Sequence, residues 1–142
     1  VGVQIVLIGL HGVREALEKL AASNASGRAR ALAVLSNKPD EPSRIILEGL
    51  GLAKFFRKIC GGNSFERKKP DPMGVEILLR EFEAAPREAM LVGDSEIDVQ
   101  TARNAGVWAC GVTYGLGSAG LRECPPDLLL DSLAELPACL EG

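Results

Sequence analysis

The stretch Met90-Leu91-Val92-Gly93-Asp94-Ser95-Glu96-Ile97-Asp98-Val99-Gln100-Thr101-Ala102-Arg103-Asn104-Ala105-Gly106 decides the fold. It opens as a short apolar run of strand type and ends in a helical pattern closed by Gly106, with the change of period at Gly93-Asp94. An acid after a glycine at such a junction places a carboxylate at the carboxyl end of a strand, where open α/β sheets bind ligands. Asp98 follows one helical turn later, so both carboxylates can face one point. That suits a hard cation such as Mg²⁺, which takes one or two carboxylates and completes its octahedron with water and phosphate oxygens. A blander reading stands beside it: a capped helix with Asp94 as N-cap and Asp98 solvated.

Working outward, the same alternation runs through the chain. Val3 to Ile8 reads as a buried strand, and Val13, Ala16, Leu17, Leu20 and Ala21 form one helical stripe. Ala31 to Leu35 is a second strand, followed by a helix that Pro42 opens and Gly51 closes. Phe55 and Phe56 anchor a short turn, and Lys58 to Gly61 is a weak third strand. Pro72, with Asp71 as cap, opens a helix that turns Val75, Leu78, Leu79 and Phe82 inward. Ala89 to Val92 is the fourth strand, with a helix over Ile97 to Ala105. Trp108 to Thr113 and Leu128 to Leu130 are the fifth and sixth strands, and Ser132 to Leu140 is a last helix. The pattern predicts an α/β fold, a mostly parallel sheet of five to six strands with helices on both faces. All 142 residues read as one domain, with residues 1–12 an atypical N-terminal strand.

Composition narrows the function classes. A net charge of −3 and a single short basic run, Arg67-Lys68-Lys69, argue against a nucleic-acid or anionic-membrane surface. No apolar run is long enough for a transmembrane helix. The N-terminus lacks the basic leader and small-residue cleavage site of a signal peptide, and Val1 in place of Met leaves a processed product or a fragment open. Cys60, Cys110, Cys124 and Cys139 make no CxxC pair and read as buried, reduced thiols of a cytoplasmic protein. His11 is the single histidine, which excludes chemistry needing two.

Three groups at strand ends or before a helix suit a phosphate. Ser36, after Leu35, can donate its hydroxyl and the next backbone N–H to phosphoryl oxygens, although Ser36-Asn37 also has turn chemistry. Lys69, before Pro70-Asp71-Pro72, can neutralise charge on a transferring phosphoryl group, or can simply be solvated. Asp94 and Asp98 supply the metal side.

With the text between them, these motifs resemble the haloacid dehalogenase (HAD) superfamily, in particular its phosphoglycolate phosphatase-like branch. The similarity runs from about Gly12 to Gly117. It is carried by Gly12-Val13-Arg14-Glu15-Ala16-Leu17, Leu35-Ser36-Asn37-Lys38-Pro39, Leu50-Gly51-Leu52, Lys69-Pro70-Asp71-Pro72, Val92-Gly93-Asp94-Ser95 with Asp98, and Val112-Thr113-Tyr114-Gly115. The resemblance implies a three-layer Rossmann-like core and a Mg²⁺-dependent phosphoric monoester hydrolase acting on a small phosphorylated metabolite. In such enzymes an aspartate attacks phosphorus, and water cleaves the aspartyl-phosphate. Carried onto this chain, Ser36 and Asn37 hold phosphate oxygens, and Lys69 stabilises nucleophile and phosphate charge. Asp94 ligates Mg²⁺, Asp98 supports the metal or its water shell, and Ser95 orients the metal loop.

The family's first motif, a strand ending in Asp-x-Asp-Gly, is missing, because no aspartate precedes Asp40. Two alignments account for this. Either Val6 to Val13 is a degenerate first motif, with Gly9 at the nucleophile position and His11 at the acid/base position, or Gly12-Val13-Arg14-Glu15 is the segment that follows the family's cap domain. In the second case the true first strand and the cap are absent, and Val3 to Ile8 fills the gap, giving strand order third-second-first-fourth-fifth. Both predict weak or no turnover, a weakened Mg²⁺ site and no cap domain. A non-catalytic phosphate- or metal-binding module is the alternative. A receiver-like phosphoacceptor fits poorly, since Gly9 and Gly61-Gly62 stand where its acids belong.

Overall fold

The computed structural model describes residues 5–8, 18, 30–113 and 118–141. Six strands form one sheet: β1 (Ile5–Ile8), β2 (Ala31–Leu35), β3 (Lys58–Cys60), β4 (Ala89–Gly93), β5 (Trp108–Val112) and β6 (Leu128–Leu130). Their spatial order is β3-β2-β1-β4-β5-β6, and every pairing is parallel. β1 is therefore central, with Ile8 level with Val34 on one side and Val92 on the other. The strand order read from the sequence is the one found. Val3, Gln4, the stripe from Val13 to Ala21 apart from the helical Glu18, and both Gly9 and His11 lie outside the described residues.

β2, β4 and β5 show their two faces to two different cores. Leu32, Val34, Met90, Val92, Cys110, Val112 and Leu130 pack with Leu47, Leu133, Leu136 and Leu140 on one side. Ala31, Ala33, Ala89, Leu91 and Ala109 point the other way, toward Val75, Leu78, Val99 and Ala102. The small residues on that second face let two helices, Met73–Glu81 and Glu96–Ala105, sit close to the sheet. Burial on both faces is why these strands read as near-continuous apolar runs. The described residues thus form a three-layer α/β core, with no second domain inserted among them.

Four helices are described: α1 (Asp40–Gly49), α2 (Met73–Glu81), α3 (Glu96–Ala105) and α4 (Leu136–Glu141). Several of their ends differ from the sequence reading. α1 starts at Asp40, two residues before Pro42, because first-turn N–H groups need no partner inside the helix and so a proline is tolerated there. Its end is as read: Gly51 at φ 70° lets Gly51 N–H reach Glu48 O and Leu52 N–H reach Leu47 O. α2 starts at Met73, one residue later than read, so Pro72 and not Asp71 is its N-cap; Asp71, one residue further out, accepts from Met73 N–H at 2.9 Å. The single helix read over Ser132 to Leu140 is instead a 3-10 turn, Leu133–Glu135, followed by α4. Pro137 has no N–H to give Leu133, which breaks the α-helical ladder there. Cys60 and Cys110 are buried and Cys124 half-buried, but Cys139 is exposed, contrary to the reading of four buried thiols.

Two predictions arise here. Burial pushes the Cys110 thiol up to about 12. Iodoacetamide is therefore expected to label Cys139 first and Cys110 only on unfolding, as mass spectrometry of timed samples would show. The second concerns Asp127, which ties the approach to β6 onto β5 and α3. It accepts from Ala109 N–H at 2.8 Å and from Arg103 at 2.8 and 2.9 Å. Burial pushes its carboxyl up, but the Ala109 N–H and the Arg103 guanidinium outweigh that and hold it below 3.8. A lowered carboxylate stabilises the fold above its unfolded value, and that contribution is lost as pH falls through the folded one. Asp127→Ala is expected to cost about 1–2 kcal/mol at neutral pH. In urea unfolding the difference from wild type should shrink steadily below about pH 4.

Candidate active site

The chain runs outward from β1 through β2 and β3, then crosses back to β4, so the sheet's switch point lies between β1 and β4. Ser36 leaves β2 and Asp94 leaves β4 on either side of it. The residue after Ile8 in sequence is Gly9.

Ser36 N–H donates to Cys60 O at 3.1 Å, anchoring the turn to β3, and its Oγ accepts from Lys38 N–H at 3.1 Å. Asn37 uses both ends of its carboxamide on one residue 32 positions away: Nδ2 donates to Lys69 O at 3.3 Å, and Oδ1 accepts from Lys69 N–H at 3.2 Å. Gly62 packs against this turn so closely that a Cβ there would overlap the Asn37 carbonyl oxygen. Ser36, Asn37, Lys68 and Lys69 line one small cleft, with Arg67 and Asp71 at its rim joined by a 3.4 Å pair.

The Lys69 ammonium donates to Asp98 Oδ1 at 2.6 Å, with side chains only 10% and 9% exposed. The other carboxylate oxygen, Oδ2, accepts from Asp94 N–H, Ser95 N–H and Ser95 Oγ at 3.2, 3.3 and 3.2 Å. This is a capping box in which Ser95, and not Asp94, is the N-cap of α3 and Asp98 is its third helical residue. Asp98 is therefore buried, not solvated as the bland reading had it. Gly93 makes room for it, because a Cβ at that position would overlap the Asp98 side chain. From the opposite end of α3, Asn104 Nδ2 donates to Pro70 O at 2.9 Å.

The structure thus brings Ser36, Asn37, Lys69, Asp94 and Asp98 to one end of the sheet. The Asn37 side chain is bonded to Lys69, which leaves its backbone N–H as the group to offer an anion. Asp98 accepts from four donors, three on Oδ2 and the Lys69 ammonium on Oδ1, so both of its oxygens are engaged. Among the described residues no three His, Cys, Asp or Glu side chains gather to hold a metal. Asp94 is half-buried just past the end of β4. The sequence reading missed Asn104, whose only signal was its place in the α3 pattern.

The sequence profile of the "Haloacid dehalogenase-like hydrolase" family matches residues 7–112. The chain belongs to the haloacid dehalogenase-like hydrolase family. It is 37% identical over 106 residues to the phosphoglycolate phosphatase of Vibrio cholerae, a match covering 74% of this chain and 47% of that protein. The chain spans about half the length of the relatives it matches. A Haemophilus somnus structure described as a predicted phosphoglycolate phosphatase superposes with a TM-score of 0.82 at 32% identity, covering 90% of this chain and 55% of that one. A Clostridium difficile chain covers 99% of each at TM-score 0.78 and 15% identity, which shows the shared HAD fold alone. Among the described residues no helix is long and apolar enough to cross a membrane.

Proposed function

We propose that this chain is a single HAD core domain of the phosphoglycolate phosphatase-like kind. It holds the phosphate of a small phosphorylated metabolite and turns it over slowly or not at all. The observation that carries the reading is the Lys69–Asp98 pair, at 2.6 Å and about nine-tenths buried, set beside the Ser36 turn at the switch point. A phosphate entering the cleft would meet the Ser36 hydroxyl, the Asn37 backbone N–H and the Lys69 ammonium. Fixed donors in a site shielded from water hold an anion with little reorganisation. Asp98 keeps Lys69 oriented and the Asp94–Ser95 turn closed. Asp94, together with phosphate oxygens, would hold Mg²⁺, which supplies charge neutralisation of the phosphoryl group when bound. With one carboxylate available, metal affinity would depend on the phosphate being present. Four free cysteines suit a cytoplasmic setting.

Gly9 has no side chain with which to form a phosphoenzyme, and this favours a second reading, a module that binds phosphate without cleaving it. The separating experiment is hydrolysis of an aryl phosphate with and without Mg²⁺, beside Asp94→Ala, together with thermal unfolding in inorganic phosphate. Protection by phosphate with no turnover is the outcome expected of the module. Slow metal-dependent turnover lost in Asp94→Ala would identify a working hydrolase and make His11 the first residue to replace. Neither protection nor turnover would overturn both readings.

A further inference from the structure

We infer that Asn104 is a positioning residue that fixes Lys69 against a bound phosphate, an assignment that rests on the phosphate reading above. Lys69 lies in the irregular segment between β3 and α2, and a lysine in such a segment carries about 2 kcal/mol of rotamer entropy. A fixed charge there requires that both the side chain and the backbone be held. α3 does both: Asp98 takes the ammonium at 2.6 Å, and Asn104 takes the next residue's carbonyl, Pro70 O, at 2.9 Å. Pro70 has no N–H, so that carbonyl is its one backbone polar group. Asn37, two residues past β2, braces Lys69 itself through both of that residue's backbone groups. Two contacts from one rigid helix define where the ammonium sits relative to the strand ends.

Asn104 is exposed, so packing does not explain its place, and water can replace it at Pro70 O with little loss of stability. A positioned group misplaced by about 1 Å can cost a reaction on the order of 10²-fold, and the contact of the same ammonium with a phosphate is set by the same geometry. The test uses the full chain and inorganic phosphate in calorimetry, with Asn104→Ala, Lys69→Ala and the double variant. Asn104→Ala should bind phosphate about tenfold more weakly while its urea midpoint stays near wild type. On the Lys69→Ala background it should add no further loss, because Asn104 acts through Lys69. A loss that adds fully on that background would overturn the assignment.

A second readout needs no ligand. The Lys69 ammonium protons, buried and paired, should exchange slowly enough with water to be seen by ¹⁵N NMR in wild type and should broaden in Asn104→Ala. A signal absent from wild type, or unchanged in Asn104→Ala, would overturn the clamp. A protected ammonium in a wild-type protein that binds no phosphate would instead refute the phosphate reading and leave the clamp standing.

Discussion

The double variant Gly9→Asp/His11→Asp is expected to raise Mg²⁺-dependent hydrolysis of an aryl phosphate by about 10²–10⁴-fold, the usual contribution of a positioned acid/base, with the nucleophile's own share added. The reason is topological. β1 is the central strand, level at Ile8 with Val34 and Val92, and the next residues of those flanking strands lead directly to Ser36 and Asp94. On the proposed reading, a carboxylate just past Ile8 would complete a crevice that Ser36 and Asp94 border. Gly9→Asp alone should trap covalent phosphate, seen as a mass increase, because its acid/base partner is missing. His11→Asp alone should gain nothing. A double variant that folds, binds phosphate and stays inactive would show that β1 does not stand in for the family's nucleophile strand.

The largest stability effect is expected at Asp98. Asp98→Ala leaves the Lys69 ammonium unpaired at 10% exposure, and breaking one side of a buried pair costs about 3–5 kcal/mol. It also removes the capping box of α3, which adds about 1 kcal/mol. Urea unfolding of Asp98→Ala should show most of this loss, whereas Lys69→Met/Asp98→Ala should recover much of it, since no charge is then left buried. Gly93→Ala should behave like Asp98→Ala, because its Cβ takes the space of the carboxylate. A loss below about 1 kcal/mol in Asp98→Ala would mean that the pair is solvated in solution and holds nothing.

Local chemistry made the sheet legible in the sequence. Ala31 to Leu35 and Ala89 to Val92 are apolar throughout because both faces are buried, and the glycines at 51 and 106 mark helix ends through their positive φ. Helix starts were harder to place, since Pro42 and Asp71 fit more than one position of a first turn. Strand order followed from the need for a buried central partner, and Val3 to Ile8 was the one segment apolar enough.

The site divides in the same way. Ser36, Lys69, Asp94 and Asp98 could be named because each borders a strand end or a helix start. Their roles could not, because these depend on contacts between residues 29 to 34 positions apart: Lys69 with Asp98, Asn37 with Lys69, and Asn104 with Pro70. One signal was readable and passed over. Ser95-x-x-Asp98 is a capping-box pattern, and it already places Asp98 on the backbone N–H groups of the turn, away from the solvent.

The most direct test of the account is a calorimetric titration of the intact chain with inorganic phosphate, beside Lys69→Ala. The account predicts a single site in wild type, with binding at least tenfold weaker in Lys69→Ala while Lys54→Ala, exposed and outside the cleft, changes little. No binding in wild type, or equal binding in wild type and Lys69→Ala, would contradict it.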